Sequence, residues 1–154
     1  MPDQNKSRRR SQTPIDPTYG HLQPQALDIE KVVLGALMID KDAFSVVSEM
    51  LQPETFYEPR NQKVFRAVQK LNLDEQPVDI LTVTNELEKE GVIDEVGGPA
   101  YVVDLTANVA SSANIVAHAK ILQQKYTARQ LISIASKIEN LAMETTVATD
   151  QPQK

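Results

Sequence analysis

Gly97-Gly98 is the one run of glycines in this 154-residue chain that could cradle a phosphate. Phosphate loops need glycines followed by Lys-Ser/Thr, so that backbone N–H groups and the lysine meet the phosphates. Here Pro99-Ala100-Tyr101 follows, and proline removes a donor where one is needed. The pair reads instead as a helix-starting turn. There is no Gly-x-Ser-x-Gly elbow and no cysteine to act as a nucleophile. Paired carboxylates occur at Asp40/Asp42, Asp74/Glu75 and Glu86/Glu90, but in turns or on polar helix faces. Acid–base work needs a dry cleft that drives their pKa values apart, so these read as solvated surface. His21 and His118 lie far apart and lack further metal ligands. His118 could titrate near neutrality at an interface, though an ordinary histidine is the simpler reading. No catalytic, cofactor-binding or metal-binding residue is expected.

Charge separates the chain into two parts. Residues 1–20 carry Lys6, Arg8, Arg9 and Arg10 against Asp3 and Asp16, a net of +2, while the remainder carries −7. Affinity for DNA comes largely from neutralising phosphates, so an acidic body is a poor stand-alone DNA binder. Lack of cysteine excludes a disulfide scaffold and suits a reducing cytoplasm. No apolar run approaches the roughly 20 residues of a membrane span, and no apolar segment follows the basic patch as in a signal peptide. A soluble, cytoplasmic protein without membrane contact is expected.

The elements that must position any binding residue are helices. Residues 1–24, rich in proline and basic residues, read as a disordered tail. Ala26, Ile29, Val33, Ala36 and Leu37 then recur at helical steps, with Asp28, Glu30 and Lys31 between them. Gly35 within this helix suggests close approach of a neighbouring helix. Asp40 reads as the N-cap of a second helix that turns Phe44, Val47 and Leu51 inward and stops at Pro53. Residues 59–71 form a third, with Val64, Phe65, Val68 and Leu71 as its stripe. Asp79 caps a fourth through Leu81, Val83 and Leu87, with Gly91 after its end. Val92 to Val96 reads as a short extended link. A fifth helix after Pro99 buries Tyr101, Val102 and Leu105.

Ser111 or Ser112 starts the longest element. From Asn114 to Glu144 there is no proline or glycine, a span near 30 residues, or roughly 45 Å of helix. Ile115, Ala119, Leu122 and Tyr126 make one stripe, and Leu131, Ile134 or Ala135, Ile138 and Leu141 another. Five short helices cannot cover such a length, so its outer half needs a partner. The expectation is an all-α fold. A compact bundle of about five short helices (25–110) precedes one long helix (111–145), the first arm of an incomplete helical hairpin, and residues 146–154 form a disordered tail.

The order of several short motifs carries a resemblance. Ile29-Glu30-Lys31-Val32-Val33-Leu34-Gly35-Ala36-Leu37 resembles the opening helix of the DnaB-type replicative helicases. Phe56-Tyr57-Glu58-Pro59 with Val64-Phe65, Pro77-Val78-Asp79-Ile80-Leu81-Thr82, Gly97-Gly98-Pro99-Ala100-Tyr101 and Ala113-Asn114-Ile115 continue that family's N-terminal domain in order, over about residues 25–142. Asn61 stands where the family often has histidine, which reads as a polar exchange on a helix surface. Family members continue into a P-loop motor, and no such motif occurs here, so the chain looks like a fragment.

The resemblance implies a hexameric, cytoplasmic, ATP-driven DNA helicase for the intact protein. ATP and magnesium would belong to the motor domain, and this part would bind no cofactor. It implies a non-catalytic collar that pairs into dimers, docks the helicase-binding domain of primase, and could meet a helicase loader. DNA would be engaged only by the intact helicase. By motif, the partner-binding residues, toward primase or a neighbouring subunit, are Tyr101, Arg129, Ile132 and Ile138. Tyr101 could equally be core, and the isoleucines could pack on the second hairpin arm. Two other classes stay in view. An accessory DNA-binding module acting through the basic tail predicts affinity that collapses with salt. A small metal-free enzyme would need a pocket of perturbed carboxylates.

Overall fold

The structure is a computed structural model that describes residues 22–150; the expected basic tail up to His21 lies outside the described residues, as do residues 151–154. Six short α-helices and one long one follow in order: α1 (Leu27–Ile39), α2 (Ala43–Val47), α3 (Pro59–Leu73), α4 (Ile80–Lys89), α5 (Ile93–Val96), α6 (Gly98–Ala107) and α7 (Ile115–Asp150). A single 3-10 turn at Pro53–Thr55 sits between α2 and α3. Among the described residues there is no strand, as the all-α reading expects. No helix there is long and apolar enough to cross a membrane.

α1 is the axis of the bundle. Val33, Leu34, Gly35, Ala36, Leu37 and Met38 are consecutive and all buried, because α3, α6 and α7 pack around it. Gly35 permits the α6 contact: a Cβ there would lie 2.0 Å from the Leu105 carbonyl oxygen. The close approach expected from sequence is therefore real. α3 buries Val64, Phe65, Val68 and Leu71, and Phe65 stacks obliquely on Phe56 with ring centroids 5.0 Å apart. Asp79 caps α4 as expected, its Oδ1 accepting from the Thr82 N–H at 2.9 Å while Thr82 Oγ1 accepts from the Asp79 N–H.

Four local readings need correction. Asp42, not Asp40, holds the N-cap position of α2; Asp40 accepts the Asp42 N–H at 2.9 Å and closes the corner before it. Residues 92–96 are not extended, since Ile93–Val96 complete one helical turn that packs on α3 and α6. Leu81 points outward, because the buried side of α4 runs through Val83, Glu86 and Leu87. α7 starts at Ile115 rather than Ser111 or Ser112, and continues past Thr145 to Asp150 because no proline or glycine occurs before Pro152.

Glu86 is also not the solvated carboxylate its polar context suggests. It is buried between α3 and α4 and accepts from Lys70 Nζ. That hydrogen bond, against the opposing effect of burial, holds the Glu86 carboxyl below its ordinary range. The same bond raises the Lys70 pKa. Asp40 is likewise lowered, by hydrogen bonds from the Ser112 hydroxyl and the Asp42 N–H. A depressed carboxyl stabilises the fold above its unfolded pKa and loses that stabilisation as pH falls through its folded one. Lys70 acts at the opposite end, its contribution lost as pH rises above the ordinary lysine range. Resistance to urea is thus expected to fall as pH drops below about 4. Glu86→Gln should flatten that decline, and an acid limb identical to the parent's would contradict this assignment.

Candidate partner-docking surface

α7 begins as a core helix and ends as an exposed one. Ile115, Ala119 and Leu122 are buried against the head, with Tyr126 half-buried beyond them. Among the described residues, Arg129 is the last side chain for which hydrogen bonds to the head are seen. Its Nη1 donates to the Pro24 carbonyl at 2.8 Å, and its Nη2 to those of Thr55 at 3.0 Å and Glu54 at 3.3 Å. From Gln130 to Val147 every residue but Ser136 is exposed.

The apolar pattern changes face at this point. Ser133, Lys137, Asn140 and Glu144 continue the line of Arg129 at three- and four-residue steps, so the side aligned with the head becomes polar. Leu131, Ile134, Ile138 and Leu141 form a separate row at the 3-4-3 spacing of a helix-pairing seam, and all are more than half exposed. Ile132 and Met143 stand on another side of the helix. Six residues at about 100° each put Ile132 and Ile138 roughly 120° apart. One narrow seam cannot bury both.

The other two expected contact residues lie within the head. Tyr101 on α6 is 7% exposed, and its hydroxyl donates to Asn61 Oδ1. The Arg60 guanidinium lies 4.0 Å from its ring centroid and Lys31 Nζ 5.6 Å. Burial pushes the Tyr101 pKa up to about 12. Asn61 is not a surface residue but fully buried, and its amide also donates to Glu30 Oε1 at 3.0 Å. Neutral histidine also offers one donor and one acceptor, the two functions that Asn61 uses toward Glu30 and Tyr101.

Glu30 was not singled out from sequence, yet it centres this network. It is 1% exposed and accepts the Tyr57 N–H at 2.7 Å and the Glu58 N–H at 3.3 Å, at the N-terminal entry of α3. A carboxylate suits that end of a helix. Position 30 falls four residues after Ala26 and three before Val33, so a charged residue on the apolar face was the available signal. Among the described residues no group of three or more His, Cys, Asp or Glu could hold a metal ion.

Fold and surface together define an all-α head-and-stalk domain, its stalk an exposed helix with two apolar sides. Residues 22–124 match the DnaB-like helicase N terminal domain, and the chain belongs to that family. It is 41% identical over 112 residues to the replicative DNA helicase DnaB of Rhodothermus marinus, covering 73% of this chain and 12% of that protein's length. The crystal structure of the N-terminal domain of DnaB helicase from Mycobacterium tuberculosis superposes with a TM-score of 0.79 at 32% identity, over 81% of this chain and 89% of that one. The N-terminal domain of DnaB helicase from Helicobacter pylori, described together with its interactions with primase, gives a TM-score of 0.66 at 25% identity, over 75% and 90% of the two chains.

Proposed function

We propose that this chain serves as the collar domain of an ATP-driven replicative DNA helicase. It associates with other copies of itself and holds the helicase-binding domain of primase on the outer half of α7. The carrying observation is the switch of apolar side at Arg129: from there to Glu144, large apolar residues leave the head-facing line and occupy two other sides of an exposed helix. The Helicobacter pylori relative, whose N-terminal domain interacts with primase, supports this reading. The 3-4-3 row through Ile138 suits a second helix from another copy, and the side bearing Ile132 and Met143 suits primase. ATP and magnesium would act in a motor domain and not here. The domain would act as a scaffold, raising the local concentration of primase at the fork.

Calorimetric titration with the helicase-binding domain of primase from the same organism tests this. Ile132→Glu is expected to weaken binding by about tenfold or more, the scale of a buried anchor replaced by a charge, while deletion of residues 1–20 leaves it unchanged. Ile138→Glu should instead shift sedimentation toward monomer. Parental affinity in the Ile132 variant would sink the primase assignment. Affinity that collapses with salt and with the deletion would favour DNA-type contacts through the basic tail.

A further inference from the structure

The buried polar network of the head and the clamp on α7 are one connected chain. Tyr101 donates to Asn61, Asn61 to Glu30, and Glu30 accepts the N–H groups of Tyr57 and Glu58. Within the same short segment, the carbonyls of Glu54 and Thr55 accept from Arg129, which also reaches the Pro24 carbonyl. Residues 54–58 are thus held by a carboxylate on their donors and by a guanidinium on their acceptors. The Arg129 guanidinium also lies 5.4 Å from the Tyr57 ring centroid and 5.6 Å from that of Tyr126. We propose that Arg129 is a positioning residue, a latch that sets the direction of the α7 stalk against the head, with Glu30 as its counter-anchor.

Leverage makes this contact matter. About 20 residues of α7 extend past Arg129, close to 30 Å of rigid helix, so a 10° change at the latch moves the tip by about 5 Å. A planar fork is needed because the three carbonyls lie on two separate segments. A lysine ammonium is a single compact donor group that cannot span them as Arg129 does. It follows that substitutions at Tyr101 and Arg129 alter docking through the direction of the stalk and not by removing a touching group. That consequence rests on the docking reading above, whereas the latch itself does not.

The chain has no cysteine, so spin labels can be placed at Glu88→Cys on exposed α4 and Met143→Cys on the stalk without removing native thiols. Pulsed electron-spin distance measurements, with labelled chain diluted into unlabelled chain, should give one narrow distribution. Arg129→Ala should widen it at least about twofold and Arg129→Lys by less, since the hydrogen bonds to three carbonyls are lost or reduced. Amide exchange in α1 and α3 should stay slow in both. A distribution as narrow in Arg129→Ala as in the parent would overturn the latch. So would widening accompanied by loss of protection throughout α1 and α3, which would mean that the head itself had melted. A parental distribution in Arg129→Lys would show that charge alone suffices and overturn the fork argument. Because no partner is present, a failure here is distinct from failure of primase binding.

Discussion

Glu30→Ala is expected to lower the stability of the domain by about 3–5 kcal/mol, a large fraction of the about 5–15 kcal/mol typical of a domain. The carboxylate is 1% exposed and receives three donors, the N–H groups of Tyr57 and Glu58 and the side-chain amide of Asn61. Alanine leaves all three in a space that water enters poorly, and each buried unsatisfied donor costs about 1–3 kcal/mol. The damage would spread, because Asn61 also orients Tyr101 and the 54–58 segment carries Arg129. Glu30→Gln keeps the shape and one acceptor oxygen but turns an NH2 toward a donor, so a smaller loss of about 1–3 kcal/mol is expected. Urea unfolding followed by circular dichroism reads both variants. An unchanged midpoint for Glu30→Ala would remove Glu30 from the centre of the fold.

The second large effect is at Gly35. In most helix interiors, glycine to alanine stabilises by about 1 kcal/mol. Here the sign reverses. The added Cβ would meet the Leu105 carbonyl oxygen at 2.0 Å and Val109 Cγ2 at 2.7 Å. The valine methyl can rotate away, but the carbonyl belongs to the backbone of α6 and moves only if the helix does. Gly35→Ala is therefore expected to destabilise by at least about 2 kcal/mol, the overpacking penalty exceeding the propensity gain. Thermal melting decides this, and a higher midpoint than the parent's would show that α6 is free to retreat.

Gly35 also marks how far the sequence could be read. A glycine inside an apolar helical pattern signals close packing without naming the neighbour, and α6 supplied it. The long helix was legible because nothing between Asn114 and Glu144 breaks it, and Asp79 ahead of an apolar helical run announced a cap, though not Thr82 as its partner. Leu81 misled because α4 has apolar residues on two sides, and only the packing of α3 and α6 selects Val83 and Leu87. Ile93–Val96 is too short for any periodicity to show.

The polar interior was the least legible part. Asn61 and Glu86 look like surface residues, and Glu30 shows only its place on an apolar face, because their partners lie 16 to 40 positions away in sequence. Local spacing carries no record of such partners. Of the four residues expected at the docking surface, Ile132 and Ile138 stand on separate exposed sides of the stalk, while Tyr101 and Arg129 are engaged within the head. Motif resemblance names positions without their neighbours, so it could not tell that Tyr101 and Arg129 would be held within the head while Ile132 and Ile138 stand free of it.

If the outer half of α7 receives the partner, its isoleucine methyl groups will sense the contact. Methyl spectra of this chain, with isoleucines labelled, recorded before and after addition of the helicase-binding domain of primase, test it most directly. The strongest perturbation is expected at Ile132, with smaller changes along the neighbouring outer stalk and almost none at the half-buried Ile29 and Ile93 of the head. Perturbation concentrated on the head, with Ile132, Ile134 and Ile138 unchanged, would contradict it.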